Sequence, residues 1–90
     1  GVAGNWKATS IDGIPVPDGV VVTVSFNSNG SYSLYTTYAG ITATEVGTWS
    51  TSGNTLTTVH GGETESVTYS LAGDTLILSD PEGVFVLARQ

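Results

Sequence analysis

Gly4-Asn5-Trp6 stands near one end of this chain and Arg89 one residue from the other. Between them run alternating apolar and polar stretches, punctuated by glycine turns. If those stretches pair in order as an antiparallel meander that closes on itself, the first and last strands lie side by side in opposite directions. Trp6 then comes to rest beside Arg89, where an indole face takes a guanidinium by stacking and cation–π attraction. Closure is the condition that the rest of the sequence has to meet.

No segment repeats apolar residues at helical spacing, and Thr, Val and Tyr dominate, so the chain reads as strands. Eight are expected: Gly4–Ile11, Val20–Asn27, Ser31–Tyr38, Ile41–Thr51, Thr55–His60, Glu65–Leu71, Thr75–Ser79 and Val84–Arg89. Asn29-Gly30 is the strongest hairpin signal, with positive φ expected at both residues. Only Asp12–Gly19 is too long for a tight hairpin. Its Pro15 and Pro17 cannot donate to a ladder, which predicts a loop outside the sheet. The expected fold is all-β, an eight-stranded antiparallel up-and-down barrel formed by residues 1–90 as one domain. Closing the sheet also removes the edges along which Thr/Val strands without edge lysines aggregate.

Charge and cysteine content narrow the function. Two basic residues face eight carboxylates, and a net charge of −6 makes nucleic acid and anionic membranes poor partners. There is no cysteine, hence no disulfide, thiol nucleophile or thiolate metal site. The apolar runs are too short to span a bilayer as a helix. Sparse charge with abundant Thr, Ser and Gly resembles secreted bacterial proteins more than cytosolic ones, so an extracellular or cell-envelope location is expected; a monomer is expected as well. Gly1 in place of an initiator Met suggests a processed or cut start, with any signal peptide already gone. One histidine and no Gly-x-Ser-x-Gly leave no triad to assemble, so catalysis is not expected.

The chain resembles the calycin superfamily, and within it the small bacterial lipocalin-like domains. The matching residues are Gly4-Asn5-Trp6 on the first strand and Arg89 on the last. Gly47-Thr48-Trp49, Gly53-Asn54-Thr55-Leu56 and Gly73-Asp74-Thr75-Leu76 are similar to the Gly-aromatic and turn-Leu patterns that such domains repeat. The resemblance implies Trp6 and Arg89 as structural residues at a closed end, and a cup for a small apolar or aromatic ligand. It also admits a secreted interaction module, protease-inhibitor-like or polysaccharide-binding, that works through its loops.

Two interiors are open to such a barrel. Bulky side chains can fill it, or a small apolar pocket can remain near Tyr38, Trp49 and Tyr69. Glu45 shares a strand face with Trp49, so its carboxylate points inward and needs a partner, Tyr69 or Lys7 being candidates. His60 lies near Glu63 and Glu65 across a Gly-Gly turn, the start of a metal or acid–base set, but without a second His or Cys it reads better as a loop histidine. Asp12 with Asp18, and Asp80 with Glu82, offer calcium oxygens, though turns favour Asp for their own hydrogen bonds. No metal or cofactor is expected. Glu45 and His60 are the candidate polar anchors of the pocket. Ile14 and Val16, stiffened by the prolines, are expected to close over it as a lid against Tyr38 or Trp49.

Overall fold

The computed structural model describes residues 1–90 and is built of strands alone. In chain order these are β1 (Gly4–Ile11), β2 (Ile14–Pro15), β3 (Val20–Phe26), β4 (Ser31–Tyr38), β5 (Ile41–Ser52), β6 (Thr55–His60), β7 (Glu63–Ala72), β8 (Thr75–Asp80) and β9 (Gly83–Arg89). Setting the two-residue β2 aside, each strand pairs antiparallel with the next and β9 returns to β1. The sheet is a closed eight-stranded up-and-down barrel, as the pairing of the chain ends requires. No helix is long and apolar enough to cross a membrane.

Two turns differ from expectation. Asp12–Gly19 is not wholly loop: Asp12 and Gly13 take positive φ (54° and 78°), and Ile14–Pro15 folds back onto Ser10 and Ile11. Asp-Gly is itself a primed-turn dipeptide. Pro15 is tolerated because β2 pairs with β1 alone and asks little of its backbone nitrogen. The β1–β3 ladder covers only Gly4–Lys7; beyond it, β2 and an N–H···O bond from Val16 to Thr9 (3.1 Å) occupy β1. Asn29-Gly30 does turn the chain, but only Gly30 has positive φ, while Asn29 Oδ1 accepts from the Ser31 N–H and hydroxyl.

The two ends of the barrel are unlike. One, the base, gathers residues 1–3, the turns after β3, β5 and β7, and Arg89; the other, the mouth, carries the turns after β1, β4, β6 and β8. At the base Trp6 is fully buried and pairs across the ladder with Arg89, whose guanidinium carbon lies 4.3 Å from the ring centroid. Arg89 also donates to the carbonyls of Ala3 (3.0 Å) and Gly1 (2.9 Å), and the Trp6 indole N–H donates to Val2 (2.8 Å). A side chain at Gly4 would put its Cβ 2.6 Å from the guanidinium, so the Gly-x-Trp spacing leaves room for arginine.

The buried core belongs to this half. Trp6 and Ala8 come from β1, Val24 and Phe26 from β3, Tyr32 from β4, and Leu56, Leu76 and Leu87 from β6, β8 and β9, with Val2 inserted from below. Thr9 is an extra residue against β9, the ladder passing from Ala8↔Leu87 to Ser10↔Val86. The bulge inverts the alternation, so Trp6 and Ala8 point inward below it and Ile11 above it.

Candidate functional site

Above the filled base the barrel is hollow. A cavity of about 430 Å³ opens at the mouth. Its walls are apolar: Val22 from β3, Leu34 from β4, Val67 from β7, Leu78 from β8 and Phe85 from β9, with Phe26 and Leu56 beneath them. The lower half is thus filled by side chains and the upper half is hollow, and the cavity is not lined by Tyr38, Trp49 or Tyr69.

One corner is polar, and strand alternation puts it there. Glu45 lies across the ladder from Leu34, and Glu65 lies across from Thr58 and two residues before Val67, so both carboxylates share the inward face of their strands. Glu45 Oε2 accepts a 2.7 Å hydrogen bond from the Tyr32 hydroxyl. Glu45 Oε1 lies 3.5 Å from His60 Nε2, and Glu65 Oε1 lies 3.8 Å from the same nitrogen. The partner of Glu45 is thus Tyr32 with His60, neither Tyr69 nor Lys7. His60 ends β6 with its imidazole half-buried, and so is not a loop histidine.

Burial of the Tyr32 phenol, and next the hydrogen bond and charge of Glu45, push its pKa up to about 12 from 10.0. The neutral phenol is the form the fold favours, so its contribution is complete below the unfolded value near 10 and is lost as pH rises through the folded value near 12. The contribution is on the order of 2 kcal/mol. Urea unfolding of the wild type and Tyr32→Phe between pH 8 and 12.5 should show their stability difference shifting against the wild type above about pH 10. A difference that does not move with pH would mean that the Tyr32 proton is not held by the fold.

Ligand atoms of His60, Glu63 and Glu65 lie within 4.8 Å of one another, a spacing that one metal ion could bridge, although both carboxylates are exposed. The other acidic pairs serve the backbone. Asp12 Oδ1 accepts from the Val84 N–H (2.7 Å), tying the first mouth turn to β9, and Asp80 Oδ1 accepts from the N–H groups of Glu82 (2.8 Å) and Gly83 (2.9 Å).

The expected trio of Tyr38, Trp49 and Tyr69 does not come together. Tyr38 is at the mouth rim and 64% exposed. Trp49 is at the base, edge-on to Phe26 (5.3 Å between centroids), with its indole N–H on the Asn27 carbonyl (2.9 Å). Tyr69 and Trp49 border a separate open depression of about 720 Å³ beside Gly1–Ala3, half of whose lining is polar. β5 is long enough that its inward residues reach both ends of the barrel, so sharing a face with Glu45 did not bring Trp49 near it.

The lid is also misplaced. Ile14 is 68% exposed, and Val16 packs against the core beside β1; neither lines the cavity. The Asp12-Gly13 turn folds both residues onto β1 before they can cross the mouth. Glu65 and Thr36 were legible as lining residues from alternation with Val67 and Leu34. Ile11 was not, because nothing in the sequence announces the bulge at Thr9.

The model of the lipocalin-like domain family matches residues 2–78, which takes in all but the end of β8 and the closing strand β9. Among solved structures, an uncharacterized protein from Bacteroides eggerthii superposes with a TM-score of 0.74 over 98% of either chain at 12% sequence identity, a likeness of fold. A search of curated proteins returned no match.

Proposed function

This chain belongs to the lipocalin-like domain family, and from that premise we propose that it is a binding barrel whose mouth cavity takes up one small apolar or aromatic molecule. The observation that carries the reading is the hollow upper half, about 430 Å³ lined mainly by aliphatic and aromatic side chains. A site of that size with a few convergent polar groups suits a small ligand whose apolar body leaves water. Glu45 and His60 are its polar anchors, joined by Tyr32 and Glu65. The family is generally non-catalytic, and the reading contains no reaction. The sparse charge and abundant Thr, Ser and Gly support action outside the cytoplasm or at the cell envelope.

The ligand is the more direct reporter, since Trp6 and Trp49 both lie at the base and neither lines the cavity. Nile red, which is uncharged, should brighten and shift to the blue on addition of the protein. Leu34→Trp, which fills the cavity from β4, should abolish the change while the near-ultraviolet dichroism of the fold persists. No response from the wild type, or an equal response from the filled variant, would overturn the reading. Exposed Ile14, Tyr38 and Ile41 favour a second one, contact with a protein or polysaccharide through the mouth loops. It is the reading that remains if the cavity takes no probe.

A further inference from the structure

The acid groups of the molecule are gathered at one end. Seven of the eight carboxylates, all but Asp74, lie on the mouth turns or in the wall of the cavity. Both basic side chains are in the base half. Arg89 is engaged with Trp6 and Asp74, and Lys7 sits exposed between the inward Trp6 and Ala8. A cleft lined by charge of one sign with low-dielectric walls concentrates counter-ions at its opening and turns away ions of the same sign.

The inner corner has the same polarity. Glu45 and Glu65 converge on a single half-buried nitrogen, His60 Nε2, at 3.5 and 3.8 Å, longer than a well-formed charged hydrogen bond. Both carboxylates line the cavity and keep free acceptor capacity, Glu45 partly and Glu65 largely open to solvent. Phe85, 40% exposed, stands on the wall of the same cavity, where an aromatic face can receive a cation. An anionic head group entering here would meet two carboxylates against the one imidazole of His60, and no lysine or arginine.

Building on the binding-barrel reading, we propose that the ligand is an organic cation, an apolar body carrying an ammonium group, with its nitrogen on the cavity side of Glu45 and Glu65, beside His60, and its body against Leu34, Leu78 and Phe85. Simple fatty acids, which share the apolar body, are excluded by the sign of their head group.

The test holds the body constant and changes the head. Decylamine, decanol and decanoate are titrated against Nile red-loaded wild type at pH 7.5, below their micellar range and with EDTA present so that His60, Glu63 and Glu65 carry no metal. Decylamine should displace the probe at concentrations about tenfold or more below those needed for decanol, a ratio set by charge-assisted hydrogen bonds, and decanoate should be the weakest. In Glu45→Gln and Glu65→Gln the ratio of amine to alcohol should fall towards one. Equal binding of amine and alcohol, tightest binding by decanoate, or an undiminished ratio in both variants would overturn the cation proposal and leave the binding barrel standing. Failure of Nile red and of all three decyl compounds to bind would overturn both.

Discussion

Replacing Trp6 with alanine is expected to remove ~3–5 kcal/mol of stability, the range found when large aromatic side chains are truncated in packed cores. Trp6 is fully buried, its indole N–H is satisfied by Val2, and its face carries the Arg89 guanidinium. Small domains hold only ~5–15 kcal/mol in total, so the variant should lie close to unfolding at ambient temperature. Arg89→Ala should cost less alone, but it releases the carbonyls of Gly1 and Ala3 and loosens the segment that seats Val2. Because the two side chains touch, the double variant should depart from additivity by ~0.5–3 kcal/mol in urea melts. Strict additivity would show that the stacked pair contributes nothing as a pair. Should Trp6→Ala fail to fold, Trp6→Phe keeps an aromatic face under the guanidinium and allows the same cycle.

Gly47→Ala should be nearly as damaging although it adds a single methyl group. Gly47 lies across the ladder from Tyr32, just before β5 exchanges β4 for β6 as its partner at Thr48. A Cβ there would run into the Val59 carbonyl oxygen and come within 2.9 Å of the Tyr32 ring. The first obstacle is backbone and cannot rotate away, so the strands have to separate. Overpacking typically costs ~1–3 kcal/mol, and a loss at or above the top of that range is expected here. Ser50→Ala, exposed on the same strand, serves as the reference. If urea midpoints place the two variants within about 0.5 kcal/mol of each other, the usual scatter of surface substitutions, the close approach at Gly47 is not a constraint on the fold.

The fold was readable because its determinants are local and repeat. Alternation set the strands: Ser31–Tyr38 and Thr55–His60 occupy the expected residues, and most other ends move by only one or two. The pairing of Trp6 with Arg89 settled closure. Asp12-Gly13 carried a hairpin signal of its own, which the prolines after it obscured. The site was less readable, for reasons of depth along the barrel axis. Alternation says which way a side chain points but not at what height, so Tyr38 shares an inward parity with Trp49 and Tyr69 and still lies at the opposite end of the barrel. The bulge at Thr9 leaves no mark in the sequence, and with it Ile11 was lost. Glu45 was recognisable as an inward carboxylate. Its partners were harder to name: Tyr32 is a diagonal neighbour across the β4–β5 ladder, which depends on the register, and His60 lies beyond the end of the β5–β6 ladder.

The exchange of partners at Thr48 has its own consequence for the shape of the opening. Residues 41–47 of β5 are laddered to β4 alone, and residues 63–67 of β7 to β6 alone. This stagger follows from the tilt that any closed sheet needs. Hydrogen bonds therefore close the full circumference of the barrel only around its lower part; above it the ladders hold three groups, β3 with β4 and β5, β6 with β7, and β8 with β9 and β1. No backbone ladder joins one group to the next at the mouth. Side-chain contacts such as Glu45 with His60 are the ties across the gap between β5 and β6. The width of the mouth is then set by those ties, while the closure of the fold is held at the other end by Trp6 and Arg89.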